Sequence, residues 1–418
     1  MRWQGVLPIL LLLPVARAAS GAEPTAKAEA WRKIAPFFRP PKQFAGDFGA
    51  YKSPLAFADG RMVKTPADWR KRRAEILAAW HGEMGRWPPL LEKPGMQVLE
   101  TKRRDGLTQK KVRLQVAAKQ TAEAYLLAPP GTGPLPAALV VYYDAEAGAG
   151  LNPKAALRDF GYQLTRRGFV SLSIGWPRSY TDGHGGVRQP LSSLAYVAAN
   201  CHTALARLPQ VDGERIGVVG HSFGGKWAMF AACLYEKFAC GAWSDPGVAF
   251  DEKRPNVNYW ERWYLGAEPA RKRKPGIPGK ANPRTGAYKR LVAAGRDLHE
   301  LQALMAPRPF LVSGGAEDGP ERWRALNHAV AVNRLLGFEN RVAMTNRRGH
   351  SPTGESNEQL YAFLEHFLKH GGAKPQAAPA SQGVDQNDHR IAGAEYGEFL
   401  RRIGQVIDAA DAAGKPAR

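Results

Sequence analysis

One short segment of the chain sets a serine between closely spaced glycines. Residues 220–225 read GHSFGG, which contains the spacing G-x-S-x-G. Glycines two residues before and two residues after the serine remove side chains that would collide in a sharp strand-to-helix turn, and this strained turn presents the serine hydroxyl to solvent. The segment therefore predicts nucleophilic catalysis by Ser222.

A serine nucleophile requires a general base, and histidine is the commonest one. His350 follows a strand-like run over residues 340–345 and a turn that reads NRRG. A histidine on a loop just past a strand can reach a serine at the same edge of a sheet, so we expect His350 to be the base. Other histidines that follow Ser222 in the chain are interpreted differently. His328, His366 and His370 lie on helical segments and are expected to be packing or surface residues. His299 is a candidate residue of the pocket lining.

Two aspartates compete for the place of the acid that orients the base. Asp318 follows the strand-like run 309–313 in the loop GGAED, the usual position of the triad carboxylate. Asp245 follows the preceding run, 239–244, and offers a second route to His350. We favour Asp318 as the orienting acid and keep Asp245 as the alternative. The other aspartate would then bind substrate or act as a reserve partner.

An ester carbonyl attacked by serine develops negative charge on its oxygen, which backbone N–H groups stabilise. The N–H of Phe223, directly after the nucleophile, is the expected first donor. The second donor is expected in the loop after Tyr143, over residues 144–147. Many enzymes of this type carry His-Gly there, whereas residues 142–145 read YYDA. The residue that supplies the second donor is therefore left open.

Strand-like and helix-like segments alternate around these residues. Six apolar runs predict strands at 138–143, 169–174, 215–219, 239–244, 309–313 and 340–345, and helices are predicted at 155–167, 191–208 and 224–236. Three earlier runs, 97–102, 111–116 and 123–127, predict an antiparallel start to the sheet. Alternation of strands and helices is typical of βαβ units. Together with the strand-to-helix turn at Ser222, this alternation predicts an α/β-hydrolase fold, with a mostly parallel sheet, helices on both faces and a lid-like insertion.

The chain divides into four predicted regions. Residues 1–18 are interpreted as a signal peptide, 19–60 as an N-terminal extension, 61–370 as the catalytic domain and 371–418 as a linker followed by a C-terminal helix. Apolar residues recur at helical spacing over 66–85, which predicts an amphipathic helix at the start of the catalytic domain.

An insertion within the catalytic domain, residues 248–299, fits no βα unit and is rich in aromatic residues. Loops of this length without regular structure are uncommon unless they are functional, so we interpret the insertion as a lid or substrate-binding segment. Tyr259, Trp260 and Trp263 are expected to form a platform for a sugar ring, and Trp260 is the residue of this group expected to bind substrate. Packing of the same residues in the core is the alternative.

The first residues combine a charged start, an apolar run and small residues. Arg2 precedes the apolar run 6–15, and residues 16–18 read ARA. This order is typical of a secretory signal peptide, and a run of about ten residues is too short to span a membrane, which takes about 20. We therefore expect cleavage after Ala18, no membrane span, and a secreted or periplasmic protein.

The chain is strongly basic, with a formal net charge of +21 at pH 7. Such a charge favours polyanionic partners. The sequence contains no zinc-finger spacing, RNA-binding aromatic signature or basic helix with heptads, so we do not expect nucleic acid to be the partner. An acidic polysaccharide or an anionic cell surface fits an exported protein, and a basic surface that merely maintains solubility is the alternative.

The chain has three cysteines, Cys201, Cys233 and Cys240. One disulfide is permitted outside the cytoplasm, but buried free thiols are the expected state. Because the sequence has no CxxC pair, it implies neither zinc nor redox chemistry, and no metal or organic cofactor is expected.

Several segments of the predicted catalytic domain resemble segments of a known family. They are 220–228 (GHSFGGKWA), 244–247 (SDPG), 299–301 (HEL), 306–309 (APRP), 317–318 (ED) and the helical region from 69 to 88. Together they resemble the bacterial glucuronoyl esterases and the related acetyl xylan esterases, over about residues 60–370.

The resemblance implies a role for several residues. Ser222 would be the nucleophile and His350 the base, while Asp245 lies where glucuronoyl esterases often keep a triad glutamate and Asp318 lies where other members keep their acid. Lys226 matches a lysine that binds sugar hydroxyls in that family. The chain departs from the family at Phe223, where glucuronoyl esterases usually carry arginine, so the resemblance implies a divergent carbohydrate esterase.

The predicted function is hydrolysis of acyl or uronoyl esters of polysaccharides through a Ser-His-Asp triad. Because one fold hosts many functions, other classes stay open, among them peptidases and dienelactone hydrolases. A prolyl peptidase would carry a large propeller before its catalytic domain, and the chain before residue 134 is too short for one. A non-catalytic carbohydrate-binding protein is the alternative from outside the enzymes.

Overall fold

The computed structural model describes Met1 and residues 22–177, 189–268 and 273–370. The predicted signal peptide, except for Met1, and the predicted linker and C-terminal helix lie outside the described residues. In the part that is described, no helix is long and apolar enough to cross a membrane.

Nine strands of the described residues form one sheet in the order β1-β2-β3-β5-β4-β6-β7-β8-β9. Their bounds are β1 Met96–Arg104, β2 Leu107–Ala117, β3 Gln120–Ala128, β4 Leu135–Val141, β5 Val170–Ile174, β6 Val211–His221, β7 Cys240–Ser244, β8 Phe310–Gly314 and β9 Val342–Asn346. Each of the nine strands predicted from the sequence overlaps one of these.

The sheet changes from antiparallel to parallel at β5. Strands β1, β2 and β3 pair antiparallel with one another, and β3 pairs antiparallel with β5. The remaining pairs, from β5 through β4 to β9, are parallel. Every residue of β5, β7 and β8 is buried, as expected for parallel strands that helices cover on both faces.

Ten α-helices of the described residues surround the sheet. They are α1 Ala22–Ile34, α2 Pro66–Met84, α3 Ala145–Gly148, α4 Phe160–Arg166, α5 Pro190–Ala206, α6 Phe223–Leu234, α7 Gly286–Ala293, α8 Leu298–Ala303, α9 Trp323–Leu335 and α10 Gly354–Leu364. Short 3-10 turns lie at Ala35–Phe38, Lys42–Phe44, Pro153–Ala155 and Pro320–Arg322, and a π-helical turn, Glu365–Lys369, extends α10.

The helix predicted at 155–167 is shorter than expected. It begins only at Phe160, because Leu157 has a positive φ of 63° and the 3-10 turn Pro153–Ala155 precedes it. A non-glycine residue in the left-handed region cannot continue a right-handed helix. Between Tyr143 and this helix the chain forms only the short helix α3 and the 3-10 turn, and it borders the end of β4.

The core divides into two clusters that lie on opposite faces of the sheet. The larger cluster includes Trp69 and Trp80 of α2 together with apolar residues of α5 and α6. The smaller cluster joins Ile34 and Phe38 to Phe363 and its neighbours in α10. The N-terminal extension thus packs on the catalytic domain, and the predicted amphipathic helix buries its tryptophans as expected.

Candidate active site

Ser222 lies in the turn between β6 and α6. Its backbone has φ 54° and ψ −109°, a conformation that is strained for a residue with a side chain. The N–H of Ser222 donates to the carbonyl of Ser244 in β7 at 2.8 Å, and its carbonyl accepts the N–H of Lys226 at 2.9 Å. These contacts hold the turn between two strands and a helix.

Two glycines make this turn possible. A Cβ atom at Gly220 would collide with the backbone of Gly224, and one at Gly224 would collide with the carbonyl oxygen of Val141 in β4. The G-x-S-x-G spacing therefore reports a close approach of three backbone segments, as the sequence predicts.

His350 connects the serine to an aspartate. Its Nε2 lies 2.8 Å from Ser222 Oγ, and its Nδ1 lies 2.8 Å from Asp245 Oδ2. In this arrangement Nδ1–H donates to the carboxylate, so Nε2 is free to accept the serine proton. The geometry places the three side chains in the order that nucleophilic catalysis by serine requires.

Asp245 is fully buried at the end of β7 and has a positive φ of 51°. Its carboxylate accepts the N–H groups of Glu317 at 3.1 Å and Asp318 at 3.0 Å, besides the contact with His350. The left-handed turn aims the side chain across the strand ends, and the two backbone donors stabilise its charge. Asp245 can therefore orient the imidazole.

The structure contradicts the preference for Asp318 as the orienting acid. The Asp318 carboxylate accepts the N–H groups of Gly247 at 2.8 Å and Val248 at 2.6 Å, and it lies 3.8 Å from Arg322 Nε. After β8 the chain turns so that the backbone of Asp318 faces Asp245, while its side chain faces the loop after β7. The two loops thus hold each other, each through a carboxylate that accepts two backbone N–H groups of the other.

Asp318 is fully buried, and burial raises its pKa to about 6. The neighbouring Asp245 adds to this increase, while Arg322 and the two backbone donors oppose it. Its contacts with two backbone N–H groups fasten the loop that carries Gly247 and Val248.

Lys226 lies one turn after Ser222 in α6 and is 1% exposed. Its Nζ donates to the carbonyl of Asn256 at 3.0 Å and lies 5.1 Å and 5.3 Å from the ring centroids of Tyr259 and Tyr264. Burial lowers the pKa of Lys226 to about 8, against the effect of nearby carboxylates. The lysine thus ties the insertion to the helix of the nucleophile, and its predicted contact with sugar hydroxyls stays a prediction.

Phe223 is the first residue of α6, a position at which an α-helix offers no carbonyl to accept the N–H. Its ring is stacked on Tyr143 at 4.5 Å and lies 6.1 Å from Tyr264. The turn after β4 therefore lies next to Ser222, and the second donor stays a prediction. Within the predicted stretch 144–147, the Ala147 N–H is already taken by the side chain of Asp144 at 2.7 Å.

Two polar residues near Ser222, His221 and Arg347, were not predicted from the sequence. His221 is buried, with Nδ1 3.1 Å from the carbonyl of Ser244 and its ring 4.8 Å from that of His350. Burial holds the pKa of His221 well below its usual value, and the neighbouring histidine contributes, so its ring is neutral. Arg347 lies on the loop of the base and contacts both β7 and β8. Its place three residues before His350 is the only signal that the sequence offers.

The expectation for Trp260 is wrong in this structure. Its side chain is 1% exposed, and its Nε1 donates to Glu261 Oε1 at 3.0 Å inside the insertion. Tyr259 is also fully buried, so packing accounts for both. Trp263 is different, since it is 39% exposed and its ring lies 6.2 Å from that of Tyr264, which contacts Phe223. The exposed aromatic surface of the insertion is therefore at Trp263.

His299 does not line the site either. It is fully buried in α8, with Nε2 2.6 Å from the carbonyl of Lys52, and its ring lies 4.8 Å from that of His328. These two histidines anchor the N-terminal extension. The three cysteines are buried free thiols, as expected. Among the described residues no group of His, Cys, Asp and Glu side chains is placed to hold a metal ion.

Solved structures with this architecture are numerous, although no protein-family model and no curated sequence matches the chain. A glucuronoyl esterase from Solibacter usitatus is 20% identical, with a TM-score of 0.61 over 77% of this chain and 99% of that one. A carbohydrate esterase family 15 glucuronoyl esterase from Caldicellulosiruptor kristjansonii is 20% identical, with a TM-score of 0.55 over 81% and 96%.

A variant of the glucuronoyl esterase from Sporotrichum thermophile, in complex with methyl 4-O-methyl-β-D-glucopyranuronate, is 18% identical, with a TM-score of 0.51 over 82% of this chain and 94% of that one. At these identities the likeness establishes the fold, which is the predicted α/β-hydrolase fold. The three structures named here are described as glucuronoyl esterases, the group that the sequence resembles.

Proposed function

We propose that the chain is a secreted serine hydrolase that cleaves acyl or uronoyl esters of polysaccharides. The main support for this proposal is the pair of hydrogen bonds that connect Ser222, His350 and Asp245. His350 Nε2 lies 2.8 Å from Ser222 Oγ, and His350 Nδ1 lies 2.8 Å from Asp245 Oδ2. A strained serine, a histidine with one nitrogen that can accept the serine proton and a buried carboxylate together form the constellation of a serine hydrolase.

The reaction begins when Ser222 Oγ attacks the ester carbonyl carbon while His350 Nε2 takes the hydroxyl proton. Asp245 holds the Nδ1–H of the imidazole and stabilises the cation that forms. The tetrahedral intermediate then collapses, its bond to the alcohol oxygen breaks, and His350 gives the proton to that alcohol. Water, deprotonated by His350, attacks the acyl-serine in the same way and releases the acid.

The negative charge of the intermediate requires fixed donors. The Phe223 N–H is the first, since it lies at the start of α6 beside the nucleophile. We assign the second to the turn after β4, where Tyr143 stacks on Phe223. The side chain of Phe223 is apolar, so in this chain the oxyanion would be stabilised by backbone dipoles rather than by a neighbouring arginine.

A carbohydrate ester is the substrate class that best fits the surroundings of the serine. The similar structures named above are described as glucuronoyl esterases, and one contains a methyl uronate. The strongly basic chain favours an acidic polysaccharide. The signal-like start of the sequence supports export to the place where such polymers occur.

Labelling and a substrate panel test this proposal. The wild-type protein is expected to react with a fluorophosphonate probe and to hydrolyse at least one of three chromogenic esters, an acetate, a longer acyl ester or a methyl glucuronate, at higher kcat/KM than a peptide anilide. The Ser222→Ala variant serves as the blank. Absence of labelling would favour a carbohydrate-binding protein without activity, and preference for the anilide would favour a peptidase.

Two tryptophans of the insertion provide a matched test of sugar binding. Trp263→Ala is expected to raise KM for a glycan ester about fivefold, the equivalent of about 1 kcal/mol of ring stacking, and to leave the melting temperature unchanged. Trp260→Ala is expected to lower the free energy of unfolding by about 3–5 kcal/mol, because it empties a core position. If Trp263→Ala leaves KM unchanged, the insertion does not provide the sugar platform.

A further inference from the structure

Arg347 directly follows β9 and lies three residues before the proposed base. Its backbone N–H donates to the carbonyl of Gly314 at 3.1 Å, so the chain enters the loop of the base while still attached to β8. Its side chain is half-buried among the strand ends. Beyond this residue the chain must reach back over the sheet edge to present His350 to Ser222.

The guanidinium of Arg347 bonds to the loop on one side. Its Nη2 donates to the carbonyl of His350 at 2.6 Å, and its Nε donates to the carbonyl of Ser351 at 2.8 Å. The side chain of Arg347 thus binds the backbone of the loop that begins at Arg347 itself. A rigid planar fork can hold two successive carbonyls at once, which a flexible ammonium cannot do equally well.

The same guanidinium bonds to the strand ends on the other side. Its Nη1 donates to the carbonyl of Ser313 in β8 at 2.8 Å, and its Nη2 donates to Ser244 Oγ in β7 at 3.1 Å. Ser244 directly precedes Asp245, and its carbonyl accepts the N–H of Ser222 at 2.8 Å. Arg347 therefore contacts the residue that directly precedes Asp245 and that accepts the backbone N–H of Ser222.

From this geometry we infer that Arg347 is a positioning residue, which fixes the loop of His350 relative to Ser222 and Asp245. It touches none of the reacting atoms and acts through His350 and Ser244. The inference rests on the proposed serine-hydrolase function. Since a displacement of about 1 Å at a reacting group can cost about 100-fold in rate, loss of this cross-link should lower kcat and leave substrate binding intact.

The test compares Arg347→Ala and Arg347→Lys with Arg348→Ala, which removes the next, exposed arginine of the same loop. With p-nitrophenyl acetate, Arg347→Ala is expected to lower kcat about 100-fold with KM within twofold. Arg347→Lys should lower kcat about tenfold, because an ammonium keeps the charge but not the fork. Arg348→Ala should match the wild type.

Chemical rescue by guanidinium distinguishes a lost positioning contact from a loss of folded protein as the cause of a lower kcat. Millimolar guanidinium is expected to restore part of the kcat of Arg347→Ala and to have no such effect on the wild type or on Arg347→Lys, with thermal unfolding recorded for each protein. A wild-type rate for Arg347→Ala, or a rise in KM without a fall in kcat, would overturn the inference. If Arg347→Ala does not fold, a wild-type kcat in Arg347→Lys would overturn it. Lack of fluorophosphonate labelling of the wild type would instead refute the proposed function.

Discussion

Replacing Ser222 with alanine is expected to lower kcat for any ester substrate about a million-fold, leaving only the residual rate that substrate binding and the oxyanion donors supply. The Oγ atom is the group that would form the acyl intermediate, and it lies 2.8 Å from His350 Nε2. Fluorophosphonate labelling should disappear together with hydrolysis. The substitution removes a single hydroxyl, so the melting temperature should stay close to that of the wild type.

His350→Ala is expected to have an effect of the same size, since nucleophile and base act as a unit and either loss removes most of the benefit. Exposed Ser53, which lies in the N-terminal extension, provides the control variant Ser53→Ala. Both catalytic variants should still bind a glycan ester, which calorimetry can measure. Residual activity above a few per cent in either variant would contradict the assignment.

The second large effect is expected from Asp245→Asn, which should lower kcat about 10⁴-fold. An amide at this position can donate to Nδ1 and so hold the imidazole in the tautomer whose Nε2 carries the proton. The imidazolium that forms during the reaction would also lose its countercharge. Substrate affinity should change little, because Asp245 is fully buried beneath the histidine.

Asp318→Asn is the matched control, since it makes the same chemical change in the neighbouring buried carboxylate. Asp318 bonds to Gly247 and Val248 rather than to His350, so its loss should loosen the loop after β7 and lower kcat only about tenfold. The ratio of the two kcat values decides the identity of the orienting acid. A larger fall for Asp318→Asn than for Asp245→Asn would return that role to Asp318.

The sequence by itself was sufficient for the parts of the protein that depend on local signals. Apolar runs and helical periodicity depend on neighbouring residues, and they predicted all nine strands and the helix that follows Ser222. The turn at Ser222 could be recognised because its glycines lie within two residues of the serine. The loop of His350 followed from chain order, because parallel strands bring their carboxyl ends to one edge of the sheet.

Only the tertiary structure distinguishes the contacts of Asp245 from those of Asp318. Both follow neighbouring parallel strands, so chain order brings both to the same edge and cannot separate them. The choice depends on backbone direction, since the positive φ of Asp245 aims its carboxylate at His350 while the turn after β8 presents the N–H groups of Glu317 and Asp318 to it.

The burial of the two tryptophans of the insertion also could not be predicted from the sequence. Trp260 and Trp263 are alike in type and three residues apart, yet one is in the core and the other is exposed. The segment that carries them has no regular period, so no spacing rule assigns a face to either ring. Their burial is decided by residues remote in sequence, as in the packing of Trp260 against Tyr288 at 6.0 Å, and contacts of this kind exist only in the folded chain.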